Sequence, residues 1–147
     1  MVNFGKFFAY NDWNWTSEKN QRGGLKISMI QNEQKQKNLI KRGDIWFADL
    51  PDMGDSIQYG LRPVLIVSND MCNKHSSVIT VIPLTSVTKK KKQPTHIYIE
   101  HSELKNSMVI CEQIITISKK RIIHKICDIG KDDMNRIEKG IKVQIGI

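Results

Sequence analysis

Between Gly43 and Ser118 the apolar residues of this chain come in short bursts closed by Gly, Pro, Asn, Asp or Ser; only the last stretch keeps a helical spacing. That pattern restricts the chain to a mainly β fold with one closing helix. "GDIWFADL" alternates around Ile45 and Phe47, with Trp46 on the opposite face, and "MGDSIQYG" supplies a long loop. "PVLIVSND" is the next strand, closed by Asn69–Asp70. "SSVITVIPLTS" is a third, and Pro83, which cannot donate to a ladder, is expected at its end or at a bulge. "THIYIE" alternates through Ile97 and Ile99. "NSMVICEQIITI" gives one or two short strands around a kink at Glu112–Gln113. Ser118 is placed to cap a short turn over Lys119 to Ile122. Met134, Ile137, Ile141 and Ile145 then form one helical stripe, with Asp132 and Asp133 near its start, where they complement the helix dipole. The expected architecture is α+β, a small partly open barrel of short strands with a C-terminal helix.

The length of 147 residues fits one domain with an appendage. Residues 1–40 read as a separate extension. They begin with an aromatic cluster (Phe4, Phe7, Phe8, Tyr10, Trp13, Trp15) too dense for a plain disordered tail. A polar stretch rich in Gln, Asn and Lys follows, with a break at Gly23–Gly24. The extension could cap the domain, contact a partner, or reflect an upstream start codon with Met29 the true one. Residues 41–147 form the domain proper. Apolar runs such as Val64 to Val67 fall far short of the ~18 residues a membrane helix needs. No basic, apolar and small-residue sequence of a leader opens the chain. A cytoplasmic protein without membrane association is expected.

Cys72, Cys111 and Cys127 are odd in number and widely spaced, which suggests buried reduced thiols rather than disulfides or a zinc ribbon. The four histidines (His75, His96, His101, His124) lack ligand spacing, so neither a metal nor another cofactor is expected. Lys and Arg number 23 against 15 acids, a net charge of +8. The excess peaks at Lys89, Lys90, Lys91 and Lys92 and again at Lys119 to Arg121. A single lysine run is usually a solvated loop. Two in one small basic domain favour a polyanion, nucleic acid foremost.

Arg62 stands before the core run of "GLRPVLIVSND". Taken alone, it reads as a strand-flanking cation paired with Asp44, Asp49 or Asp70. The segments "KRGDIWFADL", "GLRPVLIVSND", "IPLTS", "PTHIYI" and "CEQIITI", with a Gly/Ser/Gln-bearing loop after the first, give a different context. In their order and spacing they resemble the MazF/PemK toxins, ribonuclease components of type II toxin–antitoxin systems. The resemblance runs from Lys41 to the C-terminus, 107 of 147 residues. It implies an SH3-like, CcdB/MazF-type barrel and a homodimer. The implied reaction is metal-independent, sequence-specific cleavage of single-stranded RNA by 2′-hydroxyl attack, leaving 2′,3′-cyclic phosphate and 5′-hydroxyl ends. Such cleavage would stop translation and growth.

The same resemblance makes Arg62 and Thr85 the catalytic pair. It also brings Ser56 and Gln58, in the loop that contacts RNA and gates the site in that family, forward as RNA-binding residues. The family's Gly-Ser-Glu-Gln pattern stands here as Asp55-Ser56-Ile57-Gln58, without the glutamate. The chemistry suits the pair. A guanidinium grips phosphate through two parallel hydrogen bonds, and a threonine hydroxyl is a compact donor to a further oxygen. Arginine stays protonated, so charge stabilisation comes first for Arg62 and proton donation second. The general base is open between a water, a loop residue and a histidine such as His75.

Plainer roles stand beside these. Thr85 alone would be an ordinary strand-end residue, and Ser56 and Gln58 loop solvation. Glu112 and Gln113 suit hydrogen bonds to backbone across the kink, and Trp46 suits the core or a dimer interface. Lys89 to Lys92 start four residues after Thr85, which favours a phosphate-tracking rim. The implied partner is an acidic, MazE-like antitoxin that folds over the basic groove. Two other functions fit the fold or the charge: a same-fold toxin that binds and poisons DNA gyrase, and a catalytically silent nucleic-acid-binding barrel. The gyrase class ends in Trp-Gly-Ile, whereas this chain ends Gln144-Ile145-Gly146-Ile147.

Overall fold

The computed structural model describes residues 39–86 and 93–147, with Gln31 and Lys35 of the preceding stretch. The aromatic cluster Phe4 to Trp15 and the lysine run Lys89 to Lys92 lie outside the described residues. From Asp44 onward, the described residues form seven strands and two helices in order: β1 Asp44–Leu50, β2 Gly60–Ile66, α1 Asp70–His75, β3 Val78–Ser86, β4 His96–His101, β5 Leu104–Ile110, β6 Ile115–Ser118, β7 Ile122–Asp128 and α2 Lys131–Ile145. Single 3₁₀ turns at Cys111–Gln113 and Lys119–Arg121 flank β6. All pairings are antiparallel, in the order β4-β5-β3-β2-β1-β7, with β6 also on β3.

Strand alternation feeds two cores. Ile45, Leu65, Ile82 and Leu84 point to one face, where they meet Ile99, Val109, Cys111, Cys127 and Ile137 beneath α2. Trp46, Ala48, Val64, Ile66, Ile79 and Val81 point to the other and enclose a second cluster with Ile117 and Ile122. The sheet is therefore buried on both sides along β1 to β3, as a curled, partly open barrel requires. Each fully buried Leu or Ile contributes about 1.5–3 kcal/mol, so these two clusters dominate the stability.

Pro83 lies inside β3 rather than at its end. It pairs with Val64 of β2. On its other side the partner changes there, from β6, which ends at Val81↔Ile115, to β5, which begins at Leu84↔Val109. The missing N–H falls where the strand passes from one neighbour to the next, so no ladder bond is lost. Asn69–Asp70 does not merely close β2. The Asn69 side chain accepts the Cys72 N–H at 2.8 Å and starts α1. Ser118 caps the second 3₁₀ turn as expected, accepting from Lys120 N at 3.3 Å.

Helix α2 carries Asp132 and Asp133 in its first turn and ends at Gly146, whose φ of +76° is the left-handed conformation that glycine adopts freely. Met134, Ile137 and Ile141 pack on the core, but Ile145 is 56% exposed. The apolar stripe stops one turn early, because the last turn extends past the elements it packs against.

Candidate active site

Arg62 enters β2 two residues after Gly60, whose φ is +73°. Its Nε donates to the Tyr59 carbonyl at 2.8 Å, and its Nη1 donates to the side-chain oxygen of Gln58. Both acceptors are neutral. The three acids that could have neutralised it are engaged elsewhere. Asp44 holds Lys125 Nζ at 2.8 Å, Asp49 faces Arg121 at 3.6 Å, and Asp70 accepts the Arg42 backbone N–H at 2.7 Å. Among the described residues no carboxylate reaches Arg62, so the structural ion pair it would form on its own does not exist. Burial lowers its pKa from the ordinary arginine value, while the charge of the Tyr59 phenol opposes that shift. An arginine keeps its proton through shifts of this kind. The guanidinium is thus a partly desolvated cation without a counter-ion among the described residues.

Thr85 lies in the second half of β3, half-buried, opposite Met108 of β5. The last β2–β3 pair is Val64↔Pro83. Arg62 and Thr85 each stand two residues beyond that last pair, where β3 has passed to β5. Both then lie on the sheet side of Val64, Ile66 and Val81, at the end of the barrel beyond that cluster. The neighbouring strand β1 presents Ala48 to Arg62, which keeps the approach free of bulk.

The loop from Pro51 to Tyr59 is shaped locally and then tied from a distance. Asp52 accepts the Gly54 N–H at 2.9 Å, Gly54 has a φ of +80°, and Asp55 is held at +53°. The second tie is Gln113. Its side-chain oxygen accepts the Gln58 backbone N–H at 2.8 Å and its Nε2 donates to the Ser56 carbonyl at 3.0 Å. Gln113 therefore does bond to backbone, as its place in the kink suggests, but to a segment 55 and 57 residues away. Glu112 does not. Its carboxylate meets His96 Nε2 at 2.5 Å, and His96 Nδ1 and the second Glu112 oxygen are buried without a hydrogen-bond partner among the described residues. Nothing in sequence spacing links His96 to Glu112 or Gln113 to the loop, because each contact joins the 3₁₀ turn to a segment 16 or more residues away. Tyr59, 54% exposed beside Arg62, is a further site residue that alternation could not single out.

The other candidates separate. His75 is exposed at the end of α1, which follows the far end of β2 from Arg62, so the strand length stands between them. Trp46 is 2% exposed and donates to Asp44 at 3.3 Å, which makes it core rather than a stacking platform. Cys111 and Cys127 are buried, and desolvation first, then nearby carboxylates, push both thiols up to about 11. Cys72 departs from the buried default because α1 packs with only Asn73 facing inward. His101, Glu103 and Cys127 bring potential ligand atoms within 4.8 Å of one another, a grouping sequence spacing did not reveal. His101 Nδ1 already accepts the Glu103 N–H at 3.2 Å, and Lys125 lines the same cleft, so that neighbourhood carries a cation of its own.

Residues 41–145 match the family model described as PemK-like, MazF-like toxin of type II toxin–antitoxin system. Over 112 residues the chain is 34% identical to endoribonuclease EndoA of Bacillus subtilis (strain 168), covering 74% of this chain and 97% of that relative. Among solved structures it resembles an endoribonuclease in complex with its cognate antitoxin from Mycobacterial species. The TM-score is 0.62 at 25% identity, over 74% of this chain and 96% of that one. It also shares the fold of MazF from Deinococcus radiodurans, with a TM-score of 0.65 at 16% identity over 74% of this chain and 97% of that one.

Proposed function

This chain belongs to the PemK-like, MazF-like toxin family of type II toxin–antitoxin systems, and we propose that it is an endoribonuclease that cuts single-stranded RNA. The observation that carries this reading is the Arg62 guanidinium, partly desolvated, free of any carboxylate among the described residues, and satisfied only by neutral oxygens of its own loop. A phosphate oxygen can replace the Gln58 amide oxygen at Nη1 and gain charge as it does so. A structural arginine would sit beside an acid.

In the proposed reaction the ribose 2′-oxygen forms a bond to phosphorus as its proton leaves to a base. The bond from phosphorus to the 5′-oxygen breaks, and that oxygen takes up a proton. Negative charge gathers on the non-bridging oxygens, where Arg62 stabilises it and the Thr85 hydroxyl donates to one of them. The products are a 2′,3′-cyclic phosphate and a 5′-hydroxyl end, and no divalent metal takes part. Ser56 and Gln58 contact the RNA from the loop, and Lys89, Lys90, Lys91 and Lys92 track its phosphates beyond Thr85. The activity resides in residues 41–147 of a cytoplasmic homodimer, and the net charge of +8 suits an acidic MazE-like antitoxin as its partner. No described helix is long and apolar enough to cross a membrane.

Incubating the protein with a long RNA in EDTA, and beside it an oligonucleotide carrying one 2′-deoxy sugar at the cleaved position, tests the proposal. Cyclic-phosphate and 5′-hydroxyl fragments from the first, and an intact second, are expected. Intact RNA in both, or cleavage of the deoxy-substituted site, would refute it.

A further inference from the structure

We propose that Gln113 is the positioning residue of this site, fixing Arg62 in its phosphate-gripping pose through the loop from Pro51 to Tyr59. The proposal rests on the ribonuclease reading of Arg62 and adds a residue that touches no reacting atom.

The 3₁₀ turn that carries Gln113 is anchored on three sides. Cys111 is 1% exposed, its N–H donates to the Thr95 carbonyl at 2.9 Å, and its thiol lies under α2 at 3.9 Å from the Ile137 carbonyl. Gly140 of α2 allows that approach: a Cβ there would stand 2.9 Å from Cys111 Sγ. Glu112 is held by His96 of β4. Three consecutive side chains thus reach three different elements, and only the third points to the loop. A turn so fixed is a rigid base for what it holds.

The Gln113 amide uses one acceptor and one donor, and both go to main chain: Gln58 N–H to its oxygen, and its nitrogen to the Ser56 carbonyl. The order cannot be reversed, because a flipped amide would set donor against donor and acceptor against acceptor. The next link belongs to the arginine. The side chain of Gln58 and the carbonyl of Tyr59 receive two of the three guanidinium nitrogens. The path from the fixed turn to Arg62 is therefore Gln113, then the Ser56–Gln58 backbone, then Arg62. RNA can displace the Gln58 side chain from Nη1 without disturbing the main-chain ties that Gln113 makes.

Losing those ties frees the loop and with it the direction of the fork. A misplacement of about 1 Å at a catalytic group costs on the order of 100-fold in rate. The test compares wild type, Gln113→Ala and Gln113→Glu in the full chain by steady-state RNA cleavage, by hydrogen exchange at the Gln58 amide, and by urea unfolding. For Gln113→Ala, kcat is expected to fall by about 10- to 100-fold with KM within a few-fold, the signature of lost transition-state positioning. Exchange at Gln58 is expected to accelerate while the urea midpoint stays put. Gln113→Glu keeps the acceptor for Gln58 and loses the donor to Ser56, so it should retain Gln58 protection and recover part of the rate. It also carries the test if the alanine variant fails to fold. Wild-type kcat, or unchanged exchange at Gln58, in Gln113→Ala would overturn the proposal. Should the wild type fail to cut RNA at all, the ribonuclease reading falls, while the exchange data still decide whether Gln113 holds the loop.

Discussion

Arg62 donates through Nη1 to the side-chain oxygen of Gln58, four residues earlier in the chain, and no carboxylate among the described residues competes for it. A cation at the mouth of a core strand needs a partner of some kind. Here the neutral amide fills that place, and it is the kind of partner an anion displaces without leaving a buried charge behind. Binding of RNA phosphate then replaces a hydrogen bond from the cation to a neutral oxygen with one to an anionic oxygen.

Thr85 is expected to matter through its hydroxyl. Thr85→Val keeps the shape and the β-branched fit to β3, so the barrel should stand. Losing one donor aimed at developing charge lowers kcat by about 100- to 1,000-fold. Thr85→Ser should restore much of the rate. Steady-state cleavage beside a thermal melt checks this: equal kcat in Thr85→Val and wild type would remove Thr85 from the reaction.

The pair Asp44–Lys125 sets an alkaline limit on stability. Asp44 is 3% exposed and receives the Lys41 N–H, the Trp46 indole and Lys125 Nζ. Burial pulls the Lys125 amine down, but the hydrogen bond and charge of Asp44, then Asp128, outweigh it and leave the pKa above the ordinary 10.5. A raised lysine pKa stabilises the fold as long as the unfolded chain is protonated, and that contribution is lost as pH climbs through the folded value. Urea midpoints taken across pH about 9 to 12 should fall on the alkaline side. In Lys125→Met that part of the slope should disappear; an unchanged slope would exclude the pair as its source.

Gly140→Ala should destabilise, although alanine is worth about 1 kcal/mol more than glycine in a helix. The new methyl would meet Cys111 Sγ at 2.9 Å and Ile97 Cγ1 at 3.3 Å, both in the packed layer under α2. Overpacking of this kind costs about 1–3 kcal/mol, so the net effect is a loss. A raised melting temperature in Gly140→Ala would show that α2 can withdraw from the turn, contrary to the packing seen here.

Of the three thiols, only Cys72 is exposed. A disulfide reagent should titrate one thiol rapidly in the folded protein. Cys111 and Cys127, buried and with pKa values pushed up to about 11, should react only on unfolding. Two or three fast-reacting thiols would contradict the burial of the second and third.

The strands and α2 were legible because period-two and period-3.6 patterns are local. Ile45 and Trp46 announce opposite faces by adjacency alone, and Met134, Ile137 and Ile141 announce one stripe. Pro83 misled because its cost depends on what lies beside it, and the change of partner from β6 to β5 is a property of the sheet. The short helix α1 was hidden in Asn69–Asp70, residues that serve turns and caps equally well. The site was half legible. Arg62 and Thr85 stand out only by resemblance to a family. Gln113 and the His96–Glu112 pair could not be read, because a glutamine in a kink carries no mark of the loop it will hold.

The most direct measurement is the cleavage rate of a single-stranded RNA in EDTA by wild type and by Arg62→Ala, with fragment ends identified by mass spectrometry. Wild type should yield 2′,3′-cyclic phosphate and 5′-hydroxyl ends, and Arg62→Ala should yield the same ends about 100- to 1,000-fold more slowly while remaining folded. Cleavage by Arg62→Ala at the wild-type rate would contradict the assignment of Arg62 as the phosphate clamp.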